Sequence, residues 1–175
     1  MSTFKSDPLL GIAGAILWFM LGVMAFAGMI VVLCIPAVLI WGGEFVNAAD
    51  LPPLTMNVRM LIALLLAGVA GLLYLGWRFF RAMQAILRSV GEGDPFIPAN
   101  ASRLTAMAWI MLAINVLSIP LGALGMYIAD LAGEADVHAE AGIDAGGLVL
   151  ILTLFILARV FRKGTEMRED LEGTV

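Results

Sequence analysis

The chain has 175 residues, 62% of them apolar and only 14% charged, where a soluble domain carries about 45–50% apolar and about 25% charged residues; this composition excludes an ordinary water-soluble fold. The single cysteine, Cys34, sits inside an apolar run, so neither a disulfide framework nor a cysteine metal cluster can be built within one subunit. A net charge of −4 would suit an acidic soluble protein, but the sum conceals an uneven distribution along the chain.

Crossing a hydrocarbon core about 30 Å thick takes roughly 20 mostly apolar residues at about 1.5 Å each, and four stretches qualify. The first, about 9–41, carries no charge, begins after Asp7 and Pro8, and contains Pro36. It is longer than one crossing needs and is expected to tilt or kink, since proline removes a backbone donor that neighbours must compensate. Lys5 and the small residues at Ala25-Phe26-Ala27 also resemble a secretory signal. Because Met29 to Ile40 stays apolar, the expectation is an uncleaved anchor. The other spans fall at about 60–80, 101–129 and 146–161.

Small residues recur every four positions at Ala63, Ala67 and Gly71, and again at Gly11 and Ala15, a spacing that permits close helix contact within a bundle or between copies in a homo-oligomer. Past the second span, Phe80, Met83, Ile86, Leu87 and Val90 alternate with Arg78, Arg81, Gln84 and Arg88, an amphipathic continuation of the helix into a connecting loop at about 81–100. Asn100 or Ser102 is the expected N-cap of the third helix. Phe96, held between Pro95 and Ile97-Pro98, is expected to tuck against helix ends rather than stand in water.

Lysine and arginine set the orientation. Nine of the ten, Lys5, Arg78, Arg81, Arg88, Arg103, Arg159, Arg162, Lys163 and Arg168, share one side, and only Arg59 lies on the other. The acidic residues divide evenly, giving +2 on the first side and −6 on the second. Both termini and the 81–100 loop are therefore expected in the cytoplasm of a bacterial-type inner membrane. The fold class is all-α: one membrane domain over residues 1–175, a four-helix bundle with short loops and a cytoplasmic tail at 162–175.

The run Gly93-Asp94-Pro95-Phe96, followed by Asn100 and Arg103-Leu104, and the closing segment Val160-Phe161-Arg162-Lys163-Gly164 with Met167-Arg168 and an acidic end, resemble a bacterial four-span membrane family catalogued as domain of unknown function 2975. The resemblance implies a four-span fold, an apolar last helix ending in a basic-glycine turn, and no established activity. It also suggests a small cytoplasmic helix-turn-helix regulator as partner. On that reading Gly93, Asp94, Pro95, Phe96, Asn100, Arg103, Arg162, Gly164 and Arg168 form the partner-binding surface, and the protein is a non-enzymatic membrane anchor or antagonist.

The alternative is a small transporter or channel subunit, assembled as an oligomer, with Asn115 and Ser118 as polar groups in the middle of the third span. Arg159, near the end of the fourth span, is expected to snorkel to the headgroups. The connection between spans three and four holds Asp130, Glu134 and His138, and Asp136, Glu140 and Asp144, each trio spaced by four. It reads either as a solvated acidic loop, a divalent-metal face or a pH-responsive histidine among carboxylates. The spans contain no titratable pair for catalysis, no phosphate loop and no cofactor motif, and no basic patch interleaved with aromatics for direct contact with nucleic acid.

Overall fold

The computed structural model describes residues 8–48, 55–133 and 145–172. They form four helices, α1 (Pro8–Ala48), α2 (Met56–Gly91), α3 (Pro98–Leu131) and α4 (Ala145–Glu172), with no strand among the described residues. Each is long and apolar enough to cross a membrane. Even α4, with 28 residues, spans about 42 Å at the α-helical rise. The helices overrun the apolar stretches that mark them in the sequence, because polar residues that favour helix continue the backbone ladder once the hydrocarbon run stops. The amphipathic continuation expected through Val90 belongs to α2, whose last turn carries Arg88, a cation well placed at a helix C-terminus.

The basic-glycine turn expected at Gly164 does not form: α4 runs through it to Glu172. The residues beyond Gly164 are mostly good helix formers, and Lys163 pairs with Glu166 one turn on at 3.1 Å, so one glycine is not enough to end the helix. α1 and α3 likewise continue through Pro36 and Pro120.

Apolar surface faces outward. None of the most apolar 18-residue window of α1 or of α2 is buried, and Trp18, Phe19, Phe26, Leu33 and Ile40 are exposed. Cys34 is exposed along the same helix. A continuous apolar surface of this extent is incompatible with water and suits contact with lipid chains.

The chain divides into two compact units. One combines Met1–Val23, Gly76–Ala113 and Asp144–Val175. Its core is Leu104, Met107 and Ala108 of α3 with Leu154 and Ala158 of α4, flanked by Phe79, Ala82, Met83 and Ile86 of α2 and by Phe155 and Phe161. Trp109 and Phe155 meet edge to face with ring centroids 5.6 Å apart, a favourable aromatic geometry.

The other unit combines Met24–Leu75 and Ile114–Ile143. Here Gly68 of α2 receives Leu121 of α3, whose methyl groups occupy the space a Cβ would need. Gly42 and Gly43 of α1 lie against the side chain of Arg59, whose buried Nε finds no hydrogen-bond partner among the described residues. The small-residue repeat expected to make close contacts is displaced by one position. Gly11 and Gly71 face open space, Ala15 and Ala67 are exposed, and of the repeat only Ala63 is in the core. Spacing by four identifies a face but not the side from which a neighbour approaches.

Substituting Gly68→Val is expected to force Leu121 out of its notch and destabilise the protein by about 1–3 kcal/mol. Thermal unfolding in detergent micelles checks this. Leu121→Ala in the same chain should recover part of the loss, whereas additive losses would show that these two positions do not share a contact.

Candidate functional site

The chain is most elaborated where α2 turns into α3. Gly93 adopts φ +84°, a left-handed conformation that glycine enters without a Cβ penalty. Around it the amide of Asp94 donates to the carbonyl of Ser89 and that of Gly93 to Val90, both at 3.0 Å. This pair of bonds closes a helix C-terminus by satisfying carbonyls that the helix leaves open. α3 then starts at Pro98, whose fixed φ and missing N–H suit the first helical position. Asn100 and Ser102 are not its N-cap, since both lie inside the helix, and the Ser102 hydroxyl donates back to Pro98 at 3.2 Å.

Asn100 instead works between elements. It is fully buried, and its Nδ2 donates to Ser89 Oγ at 2.6 Å and to the Pro95 carbonyl at 2.8 Å. Its Oδ1 accepts from Arg103 Nη1 at 2.7 Å. Ser89 passes its own proton to the Ile86 carbonyl at 2.7 Å. Every member of the network has a partner, the condition under which a buried amide holds structure rather than costing it. One side chain thus ties the end of α2, the turn and the start of α3 together.

The end of α4 joins this assembly. Phe96 packs on Phe161 with ring centroids 5.2 Å apart, the contact with a helix end that was expected, although 41% of the residue stays exposed. Gly164 makes room for it: a Cβ there would stand 2.7 Å from Cδ1 of Phe96, too close for either to stay in place. The carboxylate of Asp94 accepts from Arg168, joining the turn to α4 across 74 residues of sequence. The buried Thr165 hydroxyl donates to the Phe161 carbonyl at 2.9 Å.

Of the nine residues expected on a partner surface, Gly93, Asp94, Pro95, Phe96, Asn100, Arg103, Gly164 and Arg168 therefore meet in one clamp. Arg162 stands exposed on α4. Ser89 and Phe161 belong to the clamp although the sequence reading assigned them no role there. The available signal for Ser89 was a hydroxyl sharing the apolar stripe of Ala82 and Ile86.

The mid-span pair is arranged differently. Asn115 is buried and has a partner, while the Ser118 hydroxyl donates to the backbone carbonyl of Asn115 at 2.8 Å. Ser118 thereby spends its only proton within its own helix. In the acidic loop, Asp130 belongs to α3, and Glu134, Asp136, His138, Glu140 and Asp144 lie outside the described residues.

Truncating Asn100→Ala is expected to leave the Pro95 carbonyl without its donor, at about 1–3 kcal/mol, while Ser89 keeps its bond to the Ile86 carbonyl and Arg103 its bond to the Ala85 carbonyl. Asp94→Ala removes only an ion pair whose partners are 48% and 42% exposed and should cost under about 1 kcal/mol. Unfolding in detergent compares the two, and a larger loss for Asp94→Ala would reverse their assigned importance.

Searches of curated proteins and of solved structures find no match to this chain. The family model described as protein of unknown function (DUF2975) matches residues 46–175, the part that holds α2, α3, α4 and every residue of the clamp. The chain, with four helices each long and apolar enough to cross a membrane, belongs to this family of proteins of unknown function.

Proposed function

We propose that this protein is a non-enzymatic component of a bacterial inner membrane, with both termini cytoplasmic, that holds a small cytoplasmic transcriptional regulator. The regulator docks on the surface made by the α2–α3 turn and the polar end of α4. One observation carries the reading: the two motifs on which the family resemblance rests, far apart in sequence, are joined through Asp94–Arg168 and Phe96–Gly164. Beside that junction Glu92, Arg162, Glu166, Arg168, Glu169 and Asp170 stand exposed. A rigid platform of mixed charge suits protein recognition, in which placed charges give specificity. The family resemblance supplies the class of partner, a helix-turn-helix protein.

The topology is tested by single cysteines at Glu92 and Thr55 in a Cys34→Ser background. In intact spheroplasts a membrane-impermeant maleimide should label Thr55→Cys and spare Glu92→Cys until the membrane is opened; the reverse pattern sinks the orientation. The partner is tested by photo-crosslinking from positions 92 and 169 in native membranes with mass-spectrometric readout. A DNA-binding protein should be captured at both positions and lost on Gly164→Val, which drives Phe96 from its notch. Capture of only lipid or the protein's own helices would remove the reading.

A further inference from the structure

Beside the core of the clamp-bearing unit, α3 and α4 border a cleft of about 630 Å³ that shares only Arg162 and Glu166 with the proposed docking platform. Thr105 of α3 forms one wall. The other residues lining it, Phe155, Ala158, Arg159, Arg162, Lys163 and Glu166, are spaced three and four apart and so share one face of α4. Along that face the chemistry changes in order. Phe155 and Ala158 come first, three cations follow within five residues, and a carboxylate closes the row. Glu166 is already engaged by Lys163 at 3.1 Å. Among the described residues no ion pair or hydrogen bond engages the guanidinium of Arg159 or Arg162, and both residues are exposed.

We infer that this cleft binds the headgroup of an anionic phospholipid, its phosphodiester held by Arg159 and Arg162 and its acyl chain lying along Phe155 and Ala158. The order of groups along α4 argues for a lipid rather than a free anion. Arg159 interrupts the apolar run of α4 close to its polar end, so the cations stand where a bilayer places its phosphates and the apolar floor where it places its chains. Guanidinium groups bind phosphate oxygens in a fixed fork, and basic clefts between membrane helices at this depth select anionic headgroups. Trp109, exposed beside Phe155, adds an aromatic side chain of the type that settles at the headgroup level. An inorganic phosphate would find the two cations but leave the apolar half of the cleft empty.

Native mass spectrometry of the full chain in detergent tests this, titrating phosphatidylglycerol, phosphatidylcholine and inorganic phosphate separately. Phosphatidylglycerol should give a saturable single adduct, phosphatidylcholine a much weaker one, and phosphate should neither bind nor compete. Arg159→Gln with Arg162→Gln should weaken the phosphatidylglycerol adduct about tenfold or more. The charge-preserving Arg159→Lys with Arg162→Lys keeps most of it, and Arg78→Gln with Arg81→Gln, cations away from the cleft, leaves it unchanged. Equal loss in the lysine and glutamine pairs, with unfolding temperatures unaltered, would overturn the charge basis of the site. Displacement by inorganic phosphate would make it an anion site without lipid selectivity, and a tightly held protein adduct in its place would overturn the proposal altogether.

Discussion

Asn100 has no contact with solvent, and an amide in that position must place two donor protons and an acceptor among protein groups. It does so with Ser89, Pro95 and Arg103, and the consequences reach beyond the residue itself. Fixing Pro95 sets where Phe96 emerges, and fixing the end of α2 sets the turn that carries Asp94. Those two side chains are the ones that receive α4, through Phe161, Gly164 and Arg168. The exposed ion pair at the rim contributes little on its own. It marks a register that the buried amide has already determined.

This division of labour follows from the solvent. Between helices in hydrocarbon the apolar side chains gain little by leaving lipid for one another, so association relies on close packing and on polar contacts shielded from water. The protein uses both. Gly68 and Gly164 are notches for Leu121 and Phe96, and the network around Asn100 supplies the directional bonds. The large residues Trp18, Phe19 and Phe26 are exposed, where in an aqueous protein they would be core. A sequence this apolar specifies its packing through its few small and polar residues.

That principle explains what the sequence made legible. Four helices and their order could be read directly, since a charge-free run of sufficient length has few other solutions. The amphipathic pattern also carried α2 on to Val90, but the end of α4 could not be read, since it continues through the charged residues after Phe161, where hydrophobicity no longer reports helicity. Asn100 resembled a helix cap because its residue type favours caps, and nothing local reveals that its partners are a serine 11 residues back and a turn carbonyl. Gly164 read as a break because the family resemblance implied a basic-glycine turn there. Its purpose is a phenylalanine supplied by a distant loop, a relation that local pattern does not encode. Asp94, Phe96 and Arg168 were grouped at the sequence level only through the two motifs that carry the family resemblance.

The clamp also has a direction in time. Its bonds around Asn100 join residues 3, 5 and 11 positions apart, so they can close as soon as α2 and α3 have left the ribosome. The link from Asp94 to Arg168 spans 74 residues and must wait for the last helix, since a chain made from its N-terminus offers early elements first and long closures carry a greater entropic cost. α2 and α3 thus form a finished hairpin that meets α4 as a prepared edge. During biogenesis Phe96 is an apolar spot that the final helix covers in part.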